Sequence, residues 1–314
     1  MIDFVGKRFW WFLISAVVLV PGIISLAIPP HLRPGIEFTS GSTMTLKFEQ
    51  EVAQSDLRAY LAESGYGDAI LQRTTEGNFL LRTREITSDT KDSLLTRLKD
   101  KFGSVTALDF FSVSPLVAAE TAQRAAVAVA IAAAAILLYI SYAFRKVQKP
   151  FRFGVCAIIA MIHDVFVVLG AFSLLGRFFS LEIDSMFIAG MLTVVGYSVH
   201  DTIVVFDRIR ENSIKGVSKD FGEVVNYSIS QTLGRSLNTS LTTLFVIVAL
   251  FLFGGATIKS FILVLLIGIL TGTYSSIFNA SQLLVVWEKK EWGKFLIWRS
   301  FQRRTPAENR KAVV

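Results

Sequence analysis

Asp201 sits inside an apolar run, in the stretch VGYSVHDTIVVFDRIREN (195–212), which closes on a dense cluster of charges. A carboxylate at membrane depth costs roughly 2.5–3.5 kcal/mol on insertion scales. An acid kept against that cost implies a polar partner, a proton or a water-lined path, so ion or proton handling is the chemistry these residues point to. Asp201 lies about sixteen residues into its run, roughly 24 Å at the helical rise, in the inner half of a ~30 Å hydrocarbon core. Asp164, preceded by His163, falls midway along the run before it, which crosses in the opposite sense and brings it to a comparable depth. Two acids at similar depth make a polar relay if they face one another. Helical spacing puts Tyr197 and Ser198 on the face of Asp201, where their hydroxyls can hold a water. Arg235 precedes the fifth apolar run. Should its guanidinium reach Asp201, it favours the charged acid while burial opposes it, and a group held between the two can load and release protons.

These side chains need a membrane scaffold, and the composition supplies one. The 314 residues are 52% hydrophobic and only 18% charged, with a mean hydropathy of +0.52, which describes a polytopic membrane protein carrying some soluble mass. The net charge of +7 is no nucleic-acid signature, because the basic residues gather at the ends of apolar runs on one side. Runs of spanning length occur at about 9–29, 125–143, 152–175, 183–206, 237–255 and 258–287. The first is too long and too aromatic for a signal peptide and reads as a retained anchor. Lys7, Arg8, Arg145, Lys146, Lys149, Arg152, Arg208, Arg210, Lys215, Lys219 and the basic tail share one side, so the positive-inside rule places both termini in the cytoplasm. A single cysteine, Cys156, allows no internal disulfide, and three scattered histidines argue against a metal centre.

The plan that follows is a first transmembrane helix over 1–29, an extracytoplasmic domain over 30–124, five further transmembrane helices over 125–287 and a basic cytoplasmic tail over 288–314. The insert reads as strand 43–48, helix 55–65 with Ser55 as N-cap and Gly65 as stop, strands 68–74 and 78–85 flanking the hairpin signal Glu76-Gly77, helix 88–103 and strand 104–114. That βαββαβ order is a ferredoxin-like α+β split βαβ arrangement. The insert has no nucleotide-binding glycine motif and no cluster of His or carboxylates, so no cofactor and no covalent catalysis are expected, and it reads as a binding or lever surface. Gly35 and Gly41 permit tight turns into it. Gly268 and Gly272 give a small-xxx-small spacing suited to close helix packing in the last span. Asp207, Arg208, Arg210 and Glu211 read as a charged face at the cytoplasmic boundary.

Several blocks carry a resemblance. GIEFTSGS (35–42), the pair His163-Asp164, GYSVHDTIVVFDRIREN (196–212, opening on Gly196), TLGRSLNTSLTT (232–243), FGG (253–255) and GTYSS (272–276) are similar to motifs of the SecF members of the SecD/SecF family, in the resistance-nodulation-division superfamily. His200 stands where the family usually has Asn, Glu37 where it has Asp and Ser40 where it has Gly; VSPLVAAE (113–120) lacks the family's glycines. The resemblance implies a bacterial inner-membrane subunit that pairs with SecD and associates with the SecYEG channel and indirectly with SecA. It also implies use of a proton or sodium gradient to complete export of unfolded preprotein, with Asp201 as the intramembrane acid and Arg235 as its basic partner. An internal membrane system is left open as a second location. Two other classes compete: a proton-coupled small-solute exporter, although one set of six spans is half of the usual pseudo-symmetric pair, and a scaffold that merely stabilises a channel.

Overall fold

The computed structural model describes residues 2–74, 77–143, 145, 150–255 and 258–291. In chain order the elements are α1 (Arg8–Ala27), the short α2 (Ile36–Thr39), β1 (Gly41–Phe48), α3 (Gln54–Leu61), β2 (Ile70–Arg73), β3 (Phe79–Thr83), α4 (Ser88–Phe102), β4 (Val105–Val113), α5 (Pro115–Ala143), α6 (Pro150–Phe179), α7 (Ser185–Lys215), α8 (Phe221–Phe253), α9 (Lys259–Ser275) and α10 (Ser281–Glu288). Six helical stretches are long and apolar enough to cross a membrane; the sixth joins α9 to α10 through a π-helical turn at Ser276–Ala280. The chain divides into two compact units, one of residues 1–31, 132–174 and 189–314, the other of residues 32–131 and 175–188. Glu76 and nearly all of the basic tail, Lys294 included, lie outside the described residues, as do Lys146 and Lys149.

The second unit is built on an antiparallel sheet of order β2-β3-β1-β4, the split βαβ arrangement expected from the sequence. Alternate residues of the strands, Met44, Leu46, Leu71, Leu81 and Val105, close on Leu57 and Leu61 of α3 and on Leu94 and Leu98 of α4. This is the period-two face of a sheet meeting two helical stripes. Thr87 caps α4, accepting from the Thr90 N–H at 3.3 Å, and Gly103 ends it at φ 80°. For α3 the cap is Ala53 rather than Ser55, whose hydroxyl turns to Asp56 instead. A bulge opposite Thr45 interrupts the β1–β4 ladder, and the Asp109 carboxylate takes the freed Thr45 N–H at 2.9 Å.

In the first unit the helices pack by close approach of small residues, the means available where lipid removes the hydrophobic drive between helices. A Cβ on Gly22 of α1 would meet the Gly170 Cα of α6 at 2.9 Å, and one on Gly268 of α9 would meet Val194 Cγ2 of α7 at 2.2 Å. Larger side chains fill the space between crossings, with Phe153 and Phe206 edge-on at 5.3 Å. Among the described residues of α5, only Ala118 and Ile140 are buried. The structure also corrects the reach of the fifth span: α8 begins at Phe221, so Arg235 lies well inside the helix rather than ahead of it. The polar first half of α8 hides this start from a search for apolar runs.

Candidate intramembrane ion site

Asp164 of α6 is 1% exposed and wholly committed to neighbours. Its Oδ2 accepts from Ser198 Oγ of α7 at 2.5 Å and from Ser275 Oγ of α9 at 2.7 Å, while Oδ1 lies 3.0 Å from His163 Nδ1. Gly272 makes this convergence possible: a Cβ there would stand 3.3 Å from Ser198 Cβ and 3.6 Å from Asp164 Oδ2. His163 Nε2 is buried without a hydrogen bond.

Asp201, on the same helix as Ser198, occupies a different setting. It is buried, yet its Oδ2 makes no hydrogen bond. The hydroxyls of Ser236 on α8 and Thr273 on α9 are polar neighbours of the carboxylate. Ser236 Oγ makes no hydrogen bond of ordinary geometry either. Thr273 Oγ1 is held 2.6 Å from Ser240 Oγ, which Tyr197 reaches with its phenolic oxygen at 3.4 Å. Thr202 and Ser276, next in sequence to Asp201 and Ser275, share a hydrogen bond of 2.8 Å. Asp164 therefore stands among hydroxyls of α7 and α9, and Asp201 among hydroxyls of α8 and α9. Among the described residues no three His, Cys, Asp or Glu side chains converge.

The geometry departs from the sequence expectation at three places. Ser198 donates to Asp164, not to the Asp201 setting: three helical residues leave the two side chains about 60° apart around the axis, enough for a different helix to claim each. Tyr197 turns to Ser240 of α8. Arg235 is exposed and forms no ion pair with any described residue; consecutive helical side chains point about 100° apart, and Ser236 is the one that faces the acid.

The charged cluster forms pairs along the helix surface, Arg210 with Asp207 at 2.7 Å, Arg208 with Glu211 at 2.5 Å and Lys215 with Glu211 at 2.6 Å, all partly exposed. Arg208 also reaches Gln231 of α8 at 2.6 Å. Among the motif glycines, Gly41 holds φ 116° where a Cβ would strike Thr83 O at 2.7 Å, and Gly196 faces open space. Sequence reasoning missed Ser275, Ser236, Thr273 and Ser240. A signal was present: Thr232, Ser236 and Ser240 recur every fourth residue in a spanning helix, and all three are buried.

Six helices of spanning length, a split βαβ domain after the first of them and two buried acids among hydroxyls define a polytopic membrane protein with polar sites inside its helix bundle. Residues 93–290 match the family described as protein export membrane protein SecD/SecF, C-terminal, and residues 25–52 match the SecD/SecF GG motif. The protein translocase subunit SecF of Thermobaculum terrenum is 49% identical over 98% of each chain. The SecDF subunit of Bacillus subtilis is 35% identical over 92% of this chain and 38% of its own. The crystal structure of SecDF, a translocon-associated membrane protein from Thermus thermophilus, superposes with a TM-score of 0.79 at 34% identity, over 92% of this chain and 39% of that one. The chain belongs to the SecD/SecF family of protein export membrane proteins, on its SecF side, and is a multi-pass component of protein translocation.

Proposed function

We propose that this chain pairs with SecD and converts the ion gradient across the bacterial plasma membrane into movement that promotes late steps of preprotein export through the SecYEG channel, acting on SecA only indirectly. The observation that carries the reading is the Asp201 carboxylate, buried with one oxygen unbonded and no fixed cation paired to it among the described residues. A mobile cation, a proton or a sodium ion, completes such a group, and its entry from one side and exit to the other is the elementary step of the motor. The hydroxyls of Ser236, Thr273 and Ser240 orient that cation and relay it. The gradient supplies about 2.3 kcal/mol per charge per 100 mV.

The exposed Arg235 bears on the partner. A guanidinium in a spanning helix is costly unless paired or in contact with water, so the face of α8 that carries it, together with the thinly covered α5, is the surface for SecD. Fused relatives named SecDF support that pairing. Both termini lie in the cytoplasm and the α+β domain meets the unfolded substrate outside.

Asp201→Asn tests the reading. It should abolish the gradient-dependent part of preprotein export while the chain still inserts and copurifies with SecD. Export that keeps its full response to the gradient refutes it.

A further inference from the structure

The loop between α6 and α7, residues 180–184, is held from three directions by the α+β domain, all within the second unit. Backbone pairing comes first: Gly35 N–H donates to Ile183 O at 2.8 Å and Ile183 N–H to Arg33 O at 2.8 Å, with Pro34 and Ile183 in a parallel bridge. Arg82 of β3 pairs with Glu182. Glu37 Oε2 accepts from the N–H of Ser185, the first residue of α7, at 2.6 Å.

Glu37 is not needed to start the helix. Asp184 already accepts from the Phe187 N–H at 2.8 Å and serves as the helix's own cap. A second carboxylate, brought from the block that opens the domain, satisfies another free N–H at the positive end of the helix dipole. What it adds is attachment. Gly35 lets the strands of this joint approach, since a Cβ there would stand 3.1 Å from Ile183 O and 3.6 Å from Glu182 Oε2. From Ser185 the helix runs unbroken to Lys215 and carries Asp201 sixteen residues on, about 24 Å along its axis.

We propose that Glu37 is a positioning residue for the transport step, and that with the Arg82–Glu182 pair it clasps the α+β domain to the first turn of the helix bearing Asp201. The inference rests on the reading of Asp201 as the ion carrier. A change in the occupancy of Asp201 biases α7, and the clasp passes that bias to the domain that meets substrate; the coupling is reciprocal, so load on the domain feeds back on the ion site.

The test measures preprotein export in membrane vesicles containing SecD and the channel, with and without an imposed gradient. Glu37→Ala and Arg82→Glu should each lower the gradient-dependent component about fivefold or more, leaving the gradient-independent rate and the amount of inserted chain unchanged. The swap Arg82→Glu with Glu182→Arg should restore the response to within about twofold of the parent, the non-additivity that a direct pair requires. A swap that restores nothing, or losses equal with and without the gradient, overturns the proposal. If Arg82→Glu does not accumulate, Glu37→Ala and the swap decide. If Asp201→Asn abolishes the gradient response while Glu37→Ala leaves it intact, the clasp alone falls; if Asp201→Asn leaves the response intact, the ion-site reading falls and the clasp with it.

Discussion

Gly268→Ala should break the tightest crossing of α7 and α9, and Val194→Ala should repair it. A Cβ at position 268 would lie 2.2 Å from Val194 Cγ2, 2.5 Å from Cγ1 and 2.9 Å from Cβ, against an optimal carbon contact of about 3.5–4.0 Å. Val194 is fully buried and cannot swing away, because a β-branched residue in a helix has one strongly preferred rotamer. The helices must part by about 1 Å, an overpacking cost of about 1–3 kcal/mol. Parting them also draws Ser198 and Ser275 off the Asp164 oxygen they share, and each hydrogen bond to a carboxylate is worth about 1.5–3 kcal/mol. With partial relaxation the single substitution should cost about 2–4 kcal/mol. Val194→Ala alone loses contacts worth about 1 kcal/mol. In that background the nearest remaining atom is Cβ at 2.9 Å, which a shift of a few tenths of an ångström relieves, so adding Gly268→Ala should cost at most about 1 kcal/mol. The four proteins would be unfolded by denaturant titration in mixed micelles and the coupling taken from the cycle. Costs that add to within about 0.5 kcal/mol would refute the claim that this contact sets the helix separation.

Gly22→Ala should be harder to rescue, since a Cβ there meets backbone, the Gly170 Cα at 2.9 Å, rather than a side chain. A loss of about 1–3 kcal/mol is expected in the same titration, and a neutral result would show that α1 and α6 do not cross there. Outside the spans, Asp220 caps α8 and receives Lys289 Nζ at 3.0 Å and the Gly222 N–H at 2.6 Å; the lysine first, then the backbone amide, hold its carboxyl below the ordinary value. A lowered folded value means its contribution is complete above about pH 4, the unfolded value, and is lost as pH falls through the folded one. Asp220→Asn should therefore lower thermal stability by a constant amount above about pH 4 and converge with the parent below it. The effect should shrink with salt because the pair is exposed, and parallel pH profiles would refute it.

The elements were legible in the sequence wherever one period dominated. The alternating strands of the α+β domain and the helix stop at Gly103 follow from residue types alone. So do the six spans, each a long apolar helix. The N-cap of α3 was misplaced because Ser55 offers a hydroxyl two residues too late, and the helix starts without a side-chain cap. The acids were legible because charge in an apolar run is conspicuous. Their partners were not, since Ser275 and Thr273 lie far from them in the chain and hydroxyls are unremarkable in membrane helices. Which of two adjacent residues, Arg235 or Ser236, turns toward Asp201 depends on the rotation of α8; the recurrence of Thr232, Ser236 and Ser240 marks the buried face, but the charge of Arg235 is the more conspicuous feature.

The two acids, alike in sequence, have different settings in the structure. Both oxygens of Asp164 are engaged, Oδ1 by His163 and Oδ2 by Ser198 and Ser275, from three helical segments. Any change at that carboxylate must break bonds that hold α6, α7 and α9 together, and a buried donor left without its acceptor costs about 1–3 kcal/mol. Asp201 keeps an oxygen unbonded beside a hydroxyl that is also unbonded. A cation can arrive or leave there without dismantling a helix contact. In the proposed cycle Asp164 is then the hub against which α7 is braced, and Asp201 the group whose occupancy changes. The hydrogen bond between Thr202 and Ser276 lies next to both centres in sequence, so a rotation of α7 that alters access to Asp201 is resisted at the hub. A helix held at its first turn by Glu37 and along its length by Asp164 has few ways to move, and in the proposed cycle that restriction would turn the movement of one ion into a directed displacement rather than a local flicker.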